Sequence, residues 1–101
     1  MTSKSGQEVD YMAESIHVFG ILVEQRAVHG PDVQEVLTRY GSSILSRNGI
    51  PDPSKSRGVI TVTVQAEPDH AAKFRDDLRR VDGVHADFVN LGEAFPNTGS
   101  C

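Results

Sequence analysis

The chain carries a single cysteine, Cys101, and no tryptophan. Without a second thiol there is no intrachain disulfide, which removes the small stapled folds of secreted proteins. No apolar run approaches the ~20 residues that a membrane-spanning helix needs, and the N-terminus lacks the basic-then-apolar order of a secretory signal. The expected setting is therefore the cytoplasm, away from the membrane. An excess of positive charge is missing too. The formal net charge is -4, whereas binding to a phosphate backbone draws on clustered Lys and Arg, so direct contact with nucleic acid is not expected.

Recognisable catalytic patterns are equally scarce. No G-x-G-x-x-G or P-loop spacing occurs, and none of Ser42, Ser43 or Ser46 sits in a G-x-S-x-G elbow. The four histidines, His17, His29, His70 and His85, include no i, i+4 pair that would bring two imidazoles to one metal ion from a helix. Neighbouring Asp76 and Asp77 point about 100° apart on a helix and are flanked by arginines, which reads as a solvated salt-bridging face. No catalytic residue, metal site or cofactor is assigned on this basis, and the chain is not read as an enzyme.

What the sequence does contain is one domain's worth of alternating apolar patterns. At 101 residues it can build one core with little to spare, so burial against a second copy would help it. Residues 1–15 are small and polar and read as a flexible leader; residues 92–101 lose periodicity and read as a flexible tail, leaving 16–91 as the domain.

Residues 16–23 are apolar on both alternations, the mark of a central strand covered on both faces. Gly30-Pro31 predicts a helix start, because proline is favoured in the first turn. Val33, Val36, Leu37 and Tyr40 then form one stripe, with Gly41 placed as a left-handed cap. Residues 43–47 read as a short strand, followed by turn formers Asn48-Gly49 and the stretch from Pro51 to Ser54. Residues 59–66 are β-branched and alternating, and predict a second central strand. Ala71, Phe74, Leu78 and Val81 mark a second helix ended by Gly83, and Val84, Ala86 and Phe88 alternate in a last strand.

The order β-α-β-β-α-β predicts a ferredoxin-like α+β fold, a four-stranded antiparallel sheet with both helices on one face. The opposite face keeps an apolar row, which a homodimer or homotetramer would cover. His17 and His85 are both placed on that open face, toward opposite ends of it.

Two segments stand out as ligand-binding candidates: Glu24, Gln25 and Arg26 after the first strand, and Arg47, Asn48, Gly49, Ile50 and Pro51 with Arg57 and Gly58 around the hairpin. Backbone N–H groups before a helix together with an arginine suit an anionic small molecule.

Tyr40-Gly41, Ile44, Arg47, Gly49-Ile50-Pro51, Arg57-Gly58-Val59 and Gly83-Val84 resemble the small proteins of the iron-only hydrogenase system regulator family. The resemblance spans residues 16–90; Asn48 stands where the family usually has methionine, and the tip from Asp52 to Ser56 is longer. That family in turn resembles the ACT-like C-terminal domain of nickel-responsive repressors, a module that oligomerises and binds effectors. No nickel-ligand cluster aligns with this chain, and no ribbon-helix-helix segment is read before Ile16.

The resemblance implies a non-catalytic transcriptional regulator that reaches DNA through a partner protein and responds to a small-molecule effector. A metal-sensing regulator using His17, His29 or His85 across subunits is the alternative, and a small enzyme of unassigned reaction the third.

Overall fold

The computed structural model describes residues 13–54 and 56–95. Most of the expected leader and tail, Cys101 included, lies outside these residues. The elements are β1 (Ser15–Val23), α1 (Arg26–Arg39), a 3-10 turn (Gly41–Ser43), β2 (Ile44–Pro51), β3 (Gly58–Ala66), α2 (Pro68–Arg79) and β4 (Val84–Glu93).

The strands lie in the order β2-β3-β1-β4, and every neighbouring pair is antiparallel. This is the ferredoxin-like α+β arrangement that the sequence predicts. Register brings Phe19 opposite Val62 on one side and Phe88 on the other.

The side-chain period of a strand is two, so one row of each strand faces the helices. Phe19, Ile21 and Val23 of β1 fill that row together with Val62 and Val64 of β3, all essentially buried. Val33, Val36 and Leu37 of α1 and Ala71, Phe74 and Leu78 of α2 close the core from above, as their spacing predicts. An aromatic chain runs through it: the Phe19 ring lies 4.8 Å from Phe88 and 4.7 Å from Phe74, and Phe74 stacks on Tyr40 at 4.4 Å.

Local structure departs from the sequence expectation at three points. α1 starts at Arg26, five residues ahead of Pro31, which therefore lies inside the helix. Pro31 has no N–H to give to the fourth carbonyl before it, and an interior proline strains its neighbours; Gly30, with no Cβ to meet the proline ring, relieves the crowding at the preceding position.

Gly41 does not adopt the left-handed conformation. It opens the 3-10 turn, which continues the chain's curl past Tyr40, and Tyr40 itself bonds back to the Val36 carbonyl. Asn48 and Gly49 are strand residues paired with Thr61 and Ile60, so the hairpin turn is made beyond Pro51. There Asp52 accepts hydrogen bonds from the Ser54 amide and hydroxyl, local bonding that carries the chain round the tip without the Asn-Gly pair.

Gly83 takes φ 75° after α2, as a chain reversal requires. A Cβ there would come within 2.7 Å of the His29 ring, so the turn and α1 approach each other only because the position is glycine.

Candidate functional site

The α1 start at Arg26 puts Arg26, Gly30 and Gln34 four residues apart, on one stripe of the helix. That stripe faces the β2–β3 ribbon, where Gly49 and Ile60 are paired. A Cβ at Gly30 or at Gly49 would touch nothing within 4 Å. Two elements that would ordinarily interdigitate are thus kept apart, and a cavity of about 340 Å³ opens between them. Val23 and Ile60 give it aliphatic walls, and Gly58, Ile50 and Val59 complete the lining.

The polar groups at this cavity are few and defined. The Arg26 amide is held by the Ser56 carbonyl at 2.8 Å, which ties the helix start to the hairpin. The Arg26 side chain runs over Gly58, whose absent Cβ leaves its Cδ room to pass. Arg26 Nε is buried and meets no hydrogen-bond acceptor among the described residues. Gln34 accepts a 2.6 Å hydrogen bond from Arg47 through Oε1, so its amide hydrogens remain to be given elsewhere. The cavity therefore offers an apolar body and two donor side chains.

Of the ten candidates from sequence, Arg26, Gly49, Ile50 and Gly58 meet at this cavity, and Arg47 supports it through Gln34. Gln25 caps the helix with φ 45° and is exposed. Glu24 turns the other way: its amide bonds the Gly83 carbonyl, and its carboxylate lies 3.7 Å from His85 Nε2. Asn48 is exposed on β2, Pro51 ends that strand, and Arg57 pairs with Asp52 at 3.4 Å in the hairpin tip. Gln34 and Gly30 were not singled out from sequence; their i+4 and i+8 spacing from Arg26 is the available signal once the helix is known to begin there.

The histidines are dispersed. His17 is fully buried on the helix-facing row, where its Nε2 lies 3.1 Å from the Ala66 carbonyl and its ring meets Phe88 edge-on at 5.3 Å. The expectation that it shares the open face with His85 is corrected: alternate rows separate the two, and a side chain enclosed in one subunit does not reach across an interface. Among the described residues no three His, Cys, Asp or Glu side chains converge on a metal-sized site.

Asp77 is a second correction. It is 9% exposed instead of solvated, and it takes a hydrogen bond from Tyr40 Oη at 2.5 Å, a bond from Arg80, and Arg39 Nη1 at 3.6 Å. The Tyr40 bond, aided by the two guanidiniums, holds the Asp77 carboxyl below its ordinary range against the cost of burial. Burial, with the adjoining carboxylate, pushes the Tyr40 phenol up to about 12. This pins α1 to α2.

The sheet face away from the helices is uncovered. Ile50, Val59 and Val89 expose 58, 40 and 61% of their surface there. Gly20 lies in the middle of β1, paired with Thr61 and Asp87, and shallow depressions flank it on both sides.

Fold and site together define a small ferredoxin-like domain with a metabolite-sized cavity between α1 and the β2–β3 ribbon and an open sheet face. A family model described as "Iron-only hydrogenase system regulator, putative" matches residues 15–87, and the chain belongs to this TM1266-like family. Among solved structures, the uncharacterized protein TM1266 from Thermotoga maritima shares the fold with a TM-score of 0.73 and 24% identity, over 77% of this chain and 98% of that one. An unknown protein from Galdieria sulphuraria aligns with a TM-score of 0.54 and 11% identity, over 83% of this chain and 49% of that one. No curated protein matches. Among the described residues no helix is long and apolar enough to cross a membrane.

Proposed function

We propose that the chain is a non-catalytic, homo-oligomeric regulatory module of the iron-only hydrogenase system, acting in the cytoplasm by binding a small effector and a partner protein. Family membership supports the regulatory role. The observation that carries self-association is Gly20. Glycine in the interior of a central strand weakens it and commonly marks a place where another backbone comes close. Within the subunit nothing lies within 4 Å of a Cβ built at this position, so the fold itself gives no reason for a missing side chain.

The open face is of a size that matters. Four strands ~4.8 Å apart and about nine residues long at ~3.3 Å each make a face of roughly 600 Å² in projection, on which the exposed Ile50, Val59 and Val89 stand around Gly20, Thr61 and Asp87. A second copy presenting the same Gly20 depression and the same Val59 and Val89 is a self-complementary cover.

Effector binding is supported by the cavity at Arg26, and the absence of a nucleophile from its lining favours binding over catalysis. Native mass spectrometry of freshly purified full-length chain tests both parts. The expected spectrum shows a dimer or tetramer releasing a small molecule on activation; a bare monomer at micromolar concentration would contradict the reading.

A further inference from the structure

Building on the effector-binding reading, we infer that the cavity between α1 and the β2–β3 ribbon takes a small organic acid with an aliphatic body, its carboxylate held by Arg26 and Gln34. Three observations carry this. The volume, about 340 Å³, lies at the lower end of ligand pockets, which suits a metabolite of a few carbons. The walls from Val23 and Ile60 and the bare backbone of Gly30 and Gly49 reward an apolar body and offer it close approach.

The polar end is cationic and unsatisfied. Arg26 lines the cavity, and no salt bridge neutralises its guanidinium among the described residues. A carboxylate is the acceptor whose geometry matches the guanidinium fork. Gln34 is oriented by Arg47 so that its remaining amide hydrogens are available beside it.

A phosphate ester fits less well. It carries nearly two charges and three strong acceptors, against one guanidinium and one amide here. A neutral amide or alcohol of the same shape leaves Arg26 without its counter-charge. The site thus selects for a single negative charge on a short branched or linear chain.

The test uses the full-length chain labelled with nitrogen-15 and titrated with isovalerate, isovaleramide and inorganic phosphate. Isovalerate is expected to shift the amides of Gly30, Gly49 and Gly58 saturably, and isovaleramide and phosphate to bind at least tenfold more weakly. Arg26→Gln is expected to remove the preference for isovalerate over isovaleramide. Gly49→Val, which places a β-branched residue in a strand position open to it, is expected to abolish the shifts while the spectrum stays folded.

Equal affinity for isovalerate and isovaleramide, or tighter binding of phosphate, would overturn the carboxylate assignment and leave effector binding standing. No saturable shift with any of the three probes, together with no small molecule released in native mass spectrometry, would overturn both.

Discussion

Tyr40, one residue past α1, donates its hydroxyl to the carboxylate of Asp77 in the last turn of α2 at 2.5 Å, and both side chains are buried. Arg39 at the end of α1 also reaches the Asp77 carboxylate, at 3.6 Å, so this polar contact holds the two helices in position. It also completes the aromatic chain, because the same Tyr40 ring stacks on Phe74.

Tyr40→Phe keeps the ring and removes the bond. A hydrogen bond to a charged group contributes about 1.5–3 kcal/mol, and in a domain of this size about 1 kcal/mol corresponds to roughly 4–8 °C in Tm. Thermal unfolding is therefore expected to show a loss of about 6 °C or more. A Tm equal to that of the parent chain would mean that Arg39 and Arg80 alone satisfy Asp77.

The same contact sets a pH dependence at both ends. Asp77 has a depressed carboxyl in the folded chain, so its contribution is present above the ordinary value of about 3.9 and is lost as pH falls through the lower, folded one. Tyr40 has a raised phenol, so its contribution is present below the ordinary value of 10.0 and disappears as pH climbs toward about 12. Urea midpoints measured across pH should fall in both windows, and Tyr40→Phe should flatten the alkaline one. An unchanged alkaline fall in that variant would assign it to other groups.

Gly83→Ala should destabilise the chain by about 1–2 kcal/mol, the cost of holding a Cβ-bearing residue in the left-handed region that φ 75° requires. The added methyl would also meet the His29 ring at 2.7 Å. His29→Ala in the same chain should return only the steric share, leaving most of the deficit. Full recovery in the double variant would show that the backbone conformation was never the constraint.

Element order and core were legible because their signals are local. β-branched runs in β3 and the stripes Val33-Val36-Leu37 and Phe74-Leu78 depend on periodicity alone. The errors share a different cause. β1 is apolar on both alternations, so the pattern carried no information about which row His17 occupies. Asp77 is three residues from Phe74 and therefore on its face, yet the charges around it suggested solvent; only the third dimension reveals the phenol that meets it.

The cavity was half visible for a related reason. Proline's preference for a first turn moved the expected helix start to Pro31, and with Arg26 left in a loop its alignment with Gly30 and Gln34 did not exist as a pattern. Gly49 and Gly58 stand among the sequence candidates at the hairpin, but Gly49, expected in the turn, is a strand residue whose missing side chain leaves space under α1.

The central claim is that a second copy covers the open sheet face at Gly20, and sedimentation velocity of the parent chain beside Gly20→Val tests it most directly. Valine is better suited than glycine to a strand, and the position has room for it in the single subunit, so the variant should still fold, with a lower unfolding temperature only to the extent that association stabilises the parent. The account predicts a dimer or larger particle for the parent at micromolar concentration and a monomer for the variant. A monomeric parent, or a variant that assembles as the parent does, would contradict it.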